Sequence, residues 1–206
     1  MLFRSQRPVE AGGQVFKREW WRWYDDPPKT FDRVVQSWDC TFKDTDGTDF
    51  VVGQVWGQKE ARFYLLDHVR DRLSFTLTCQ AITAMRKKWP EAHAIYIEDK
   101  ANGPAVIDAL VRTVPGIVAV NPEGGKIARA YAQQPLVEAG QVYLPKRGWI
   151  EQFVKECASF PNGRHDDEVD AFTQAMAKLA WVGGQRVRSE EHTSELQSHV
   201  RISYAV

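Results

Sequence analysis

The sequence predicts an α/β domain: a mixed sheet whose first three strands are antiparallel and whose later strands are parallel, flanked by helices. Three observations lead there. Residues 33–69 carry three runs rich in β-branched and aromatic residues, parted only by short polar stretches, which is the pattern of consecutive hairpins. From residue 74 onward, helical and strand-like text alternates, implying crossover connections and parallel pairing. The chain has 206 residues, 43% of them hydrophobic, enough for one well-buried domain.

Residues 1–30 read as a connector or docking segment. The stretch "FKREWWRWYDDPPKT" shows no strand alternation and closes on a double proline, which stops a helix. Its Trp20, Trp21, Trp23 and Tyr24, beside Lys17, Arg18 and Arg22, suit stacking on bases or covering a surface, a partner's or the domain's own. The three strands are then "RVVQSWDC" (33–40), "DFVVGQVWG" (49–57) and "RFYLLDHV" (62–69), separated by "KDTDGT" and "QKEA". A helix over 74–89 follows from Ser74 as N-cap, apolar Leu77, Ala81, Ile82 and Met85, a basic last turn, and Pro90 just beyond. Next come a short apolar strand ending in acid (92–99), a helix near 104–111 and a strand at 116–121. A helix near 125–138, a strand at 141–145 and helices near 149–158 and 166–182 complete a domain spanning 31–183. Residues 184–206 are expected to be a disordered, non-native tail. From Arg188, "RSEEHTSELQSH" resembles the in-frame translation of a sequencing-library adapter.

Composition narrows the function. Lys and Arg together number 27, as do Asp and Glu, so any nucleic-acid binding must come from local patches and not from a global field. Three widely spaced cysteines without a CxxC argue against a disulfide framework and a zinc ribbon, and fit a reducing cytosol. No apolar run approaches the roughly 20 residues of a membrane span, so no membrane partner is expected. "EGGK" (123–126) lacks the spacing of a P-loop.

The informative residues are acidic. Asp39 falls near the end of the first predicted strand and Glu98 ends the fourth. Buried strands rarely take a carboxylate without a partner, and strand ends beside crossovers are where ligand sites form. "HDDEVDAF" then crowds Asp166, Asp167, Glu168 and Asp170 at the head of the last helix. Such a first turn complements the helix dipole. It also suits a cation, since mutual repulsion of carboxylates is relieved when a cation screens it. Asp167 and Asp170, three apart, share a helix face, while Asp166 is rotated about 100° from Asp167 and is the alternative ligand. His165 could orient a phosphate or a water; Lys43 and Lys100 stand near the proposed centre as candidate phosphate contacts.

An acid on the first strand, an acid on the fourth and an acidic final helix together resemble the ribonuclease H-like nuclease fold. More narrowly, "FKREWWRWY", "SWDCTFK", "TDGTDFVVGQVWG", "FYLLDHVRDRLSF", "IEDKANG", "PLVEAGQVYLP" and "FPNGRHDDEVDAFTQAM" resemble the C-terminal nuclease domain of phage terminase large subunits, over residues 6 to about 182. The resemblance implies metal-dependent cleavage of double-stranded DNA during genome packaging, with two divalent ions, Mg²⁺ or Mn²⁺, held about 3.5–4 Å apart. Asp39 would be shared by both ions, Glu98 would complete one site and Asp167 the other, with Asp166 and Asp170 as further helix ligands. It also implies the terminase ATPase domain, the portal and the small terminase subunit as partners, in the host bacterial cytoplasm. The ATPase motor has no counterpart in these residues, which begin inside the connector, as expected of a truncated reading frame or a separately encoded nuclease. Two other readings are a junction resolvase of the same fold and a non-catalytic packaging adaptor docking through the Trp-rich segment.

Overall fold

The structure, a computed structural model, describes residues 14–40 and 50–180. Its strands are β1 (Arg22–Tyr24), β2 (Arg33–Asp39), β3 (Val51–Lys59), β4 (Arg62–Asp71), β5 (Ala94–Glu98), β6 (Ile117–Val120) and β7 (Val142–Pro145). The helices are α1 (Phe75–Lys88), α2 (Gly103–Leu110), α3 (Lys126–Glu138), α4 (Ile150–Ser159) and α5 (Asp167–Ala180). All seven strands form one sheet in the order β1-β7-β4-β3-β2-β5-β6. As expected, β2, β3 and β4 are an antiparallel meander, and β5, β6 and β7 add in parallel.

Hydrophobic packing covers both faces of the sheet. One core gathers Val35, Trp56 and Leu65 with apolar residues of α3, α4 and α5. The other gathers Val34, Trp38 and Val55 with residues of α1 and α2. Every residue of β2 but its first is buried, as expected of a central strand covered on both sides. Since side chains alternate along a strand, Val35, Ser37 and Asp39 face α5, and Val34, Gln36 and Trp38 face α1 and α2. Helix α1 starts where its text predicts, with Ser74 Oγ accepting from Leu77 N at 3.4 Å. Among the described residues no helix is long and apolar enough to cross a membrane.

The described part of the expected connector adds an element that its text does not advertise. Strand β1 pairs in parallel with β7 at the edge of the sheet, and Val15, Phe16 and Trp21 are buried in the core beside Phe153 and Phe172. Its aromatic residues alternate too briefly for a strand to be read. The free energy comes from burying a Phe and a Trp. Residues 1–13, the hairpin tip 41–49 and the predicted tail lie outside the described residues, and Lys43 with them.

Candidate acidic centre at the sheet's carboxyl edge

Parallel pairing of β2 with β5 puts Trp38 opposite Ile97. One residue further on, Asp39 and Glu98 end neighbouring strands side by side, on strands about 4.8 Å apart. Both face α5, because Tyr96, two residues before Glu98, packs into the core on that side. Helix α5 is held across these strands by polar bonds: Ser37 Oγ donates to the Ala171 carbonyl at 2.7 Å. Gln174 Nε2 donates to Ser37 Oγ at 2.9 Å and to the Trp38 and Tyr96 carbonyls at 3.4 and 3.3 Å. One turn before Gln174, Asp170 is brought to the same end of the sheet.

At that end of the sheet the charges act on one another. Burial, and after it the charge of Asp170, push the Glu98 carboxyl above its ordinary pKa, while Arg129, Lys100 and Lys126 pull it down. Asp39, Asp167 and Asp170 are buried, at 6%, 8% and 5% exposure. Asp166 precedes the helix, its carbonyl accepting from Asp170 N at 3.0 Å. Lys126 Nζ joins the two carboxylates, 2.8 Å from Asp166 Oδ2 and 2.6 Å from Asp170 Oδ2. Arg129 takes the other Asp170 oxygen at 2.7 Å. Hydrogen bonds to these acids, and their charges, outweigh burial and hold the Lys126 ammonium above the ordinary lysine pKa.

The donor set is made of hard oxygens, the type divalent Mg²⁺ and Mn²⁺ prefer, and two protein cations already sit on it. Among the described residues, no three His, Cys, Asp or Glu side chains stand close enough together to hold one ion. A metal on the Asp166 and Asp170 oxygens would compete with Lys126 for them.

Of the remaining predicted residues, Lys100 is exposed beyond β5, and the His165 ring meets Phe50 edge-on at 5.3 Å. Glu168 departs from the crowded group. It is fully buried and turned away into the domain, with Oε1 2.7 Å from His68 Nε2 and Oε2 accepting from Gln54 Nε2 at 2.9 Å. Its backbone N–H donates to Glu156 at 2.7 Å, and Glu156 accepts from Arg70 at 3.0 Å. The His68 ring stacks on Trp149 at 4.7 Å, and the Arg70 guanidinium lies 3.5 Å from the Phe50 ring centre. This network was not anticipated. Its one sequence signal is His68 and Arg70 two apart on a strand, hence on one face.

The sequence model of a family described as Terminase RNaseH-like domain matches residues 36–179. Among curated proteins nothing matches the chain. Solved structures share the fold at low identity. The large terminase nuclease of thermophilic phage G20c superposes with a TM-score of 0.62 at 14% identity, over 81% of this chain and 99% of that one. The nuclease domain from bacteriophage SPP1, with bound Mn, gives 0.57 at 16% identity, over 80% of this chain and 99% of that one. For the large terminase of a second thermophilic bacteriophage the values are 0.64 and 8%, over 82% of this chain and 45% of that one.

Proposed function

Since the chain belongs to the terminase RNaseH-like domain family, we propose that it is a metal-dependent endonuclease that cuts double-stranded DNA during phage genome packaging. What supports this most is the convergence of Asp39 and Glu98, from adjacent parallel strands, with the acidic head of α5. In this reading Asp39, Glu98, Asp167 and Asp170 would hold two divalent ions, with Asp166 as a further carboxylate beside them. When bound, such ions activate water and stabilise the leaving 3′ oxygen. The protein's own part is to aim carboxylates from rigid elements. Ser37 and Gln174 fix α5 over the strand ends, and Gly103 lets the next helix pack on the Glu98 carbonyl, with which an added Cβ would collide. Lys100, His165 and Lys43 are proposed as phosphate contacts.

Mg-bound and Mn-bound structures of related terminase nucleases support the choice of metal. The ATPase domain of a large terminase, the portal and the small subunit are proposed as partners in the host cytoplasm, and residues 31–183, with residues 15–24 that pack into their sheet and core, as the catalytic domain. Absence of a ready-made three-ligand group among the described residues is the observation that favours the second reading, a packaging adaptor that no longer cuts. Plasmid nicking in Mn²⁺ decides between them. The intact chain is expected to nick, and Asp39→Ala to lose more than about a hundredfold, the upper end of what losing an outer-shell partner costs. Equal nicking by both proteins, or none by either, would reject the nuclease reading.

A further inference from the structure

Lys126 opens α3 directly after Gly124 and Gly125, the former at φ +75°. A Cβ added at either glycine would meet nothing within 4 Å, so this loop has open space on its outer side. From there the ammonium reaches Asp166 and Asp170 while its side chain stays 49% exposed. Arg129, the other cation on Asp170, is only 17% exposed. The two differ in what they can do. Arg129 is packed in place, whereas Lys126 is a long side chain at a glycine joint with solvent beside it.

Asp170 is buried, and a buried carboxylate stays charged only with a counter-charge. The ammonium supplies one. A divalent cation on the same oxygens would repel it, because like charges at contact distance are strongly unfavourable wherever water is partly excluded. The displaced ammonium would then stand at the rim of a centre whose negative charge the metal has largely offset. A DNA phosphate is the anion that the proposed reaction brings to that rim.

We infer that Lys126 is a built-in counter-ion of the acidic centre, which yields Asp166 and Asp170 to a divalent cation and then turns outward to hold a backbone phosphate of the DNA. This rests on the nuclease reading. Lys126 thus guards the carboxylates before the metal arrives and grips the substrate phosphate afterwards.

The test uses the full chain, with Lys126→Gln and the charge-keeping Lys126→Arg. Isothermal titration with Mn²⁺ alone is expected to give about tenfold tighter binding for the Gln variant, the size of a typical coupling between sites, and near-unchanged binding for the Arg variant. Duplex DNA affinity, measured in Ca²⁺ to hold cleavage back, is expected to fall for the Gln variant, with the slope of log Kd against log salt shallower by about one. Tighter metal with weaker DNA is a pair that structural damage would not produce, since damage weakens both. Equal Mn²⁺ affinities, or an unchanged salt slope, would overturn the inference while Asp39→Ala still loses nicking and the nuclease reading stands. Mn²⁺ heat from neither protein would overturn both.

Discussion

Glu98 carries a pH signature. Burial comes first and the Asp170 charge second in raising its pKa, and the nearby cations only partly offset them. A raised folded pKa means that the folded state binds the proton more tightly than the unfolded chain does. That contribution to stability is complete below the unfolded pKa and is lost as pH rises through the folded pKa. At pH 7 the ionised Glu98 therefore costs the metal-free protein stability. Glu98→Gln is expected to raise the metal-free melting temperature at pH 7, and the gain should shrink towards about pH 4, where an ordinary glutamate is itself half protonated. The same variant should gain less stabilisation from Mn²⁺ than the unaltered protein, since Asp39, Asp167 and Asp170 remain. Melting curves at the two pH values, with and without metal, check this; a gain of equal size at both would contradict it. Asp39 and Glu98 could be picked from the text because a carboxylate ending an apolar strand is unusual. Lys126 could be read only as one of several basic residues available for phosphate contacts, since a lysine at a helix start has no sequence mark that separates it from a solvated one.

At the level of elements, the start of α5 is fixed from below by the network of Glu168, Glu156, His68, Arg70 and Gln54. Arg70 is the charge that serves both acids: its NH2 group donates to Glu156, and its Nε lies 3.5 Å from Glu168 Oε1, an attraction without a hydrogen bond. Burial, and then the Glu168 charge, raise the Glu156 pKa against the pull of Arg70 and of the Glu168 backbone N–H. Arg70→Met leaves two buried carboxylates without their cation and is expected to cost about 3–5 kcal/mol. Urea unfolding at pH 7 measures it, and a loss under about 1 kcal/mol, the scale of a surface pair, would show that the network is not what seats the helix. Nicking should fall with it, because Asp167 and Asp170 ride on that first turn. The helix and its acidic head are legible from periodicity and the run of carboxylates. That one of the four turns inward is not, because the choice depends on a cavity lined by β3, β4 and α4.

Across the described residues, two cores clamp the sheet, and Val15, Phe16 and Trp21 belong to one of them. The Trp21 ring packs edge-on against Phe153 and Phe172 at 5.5 and 5.6 Å, and β1 closes the β7 edge. A segment that merely tethered the domain would tolerate Trp21→Ala. Here the substitution is expected to cost about 3–5 kcal/mol, the usual range for emptying a large aromatic site. The midpoint of urea unfolding reads it, and a shift worth less than about 1 kcal/mol, the average of any point substitution, would return this stretch to the status of a linker.

By itself the sequence determined the order and type of all but the edge strand β1, the family, and the acids that end β2 and β5. These are set by local period, capping and charge, which neighbouring residues fix among themselves. Only the tertiary structure decided which acids meet, that Glu168 leaves the group, and that Lys126 and Arg129 from α3 enter it. Most of those choices join residues far apart in the chain, such as Ser37 with Ala171 across 134 positions and Lys126 with Asp166 across 40. Long-range pairs of this kind follow from how the sheet and its covering helices pack, and no local pattern encodes the packing.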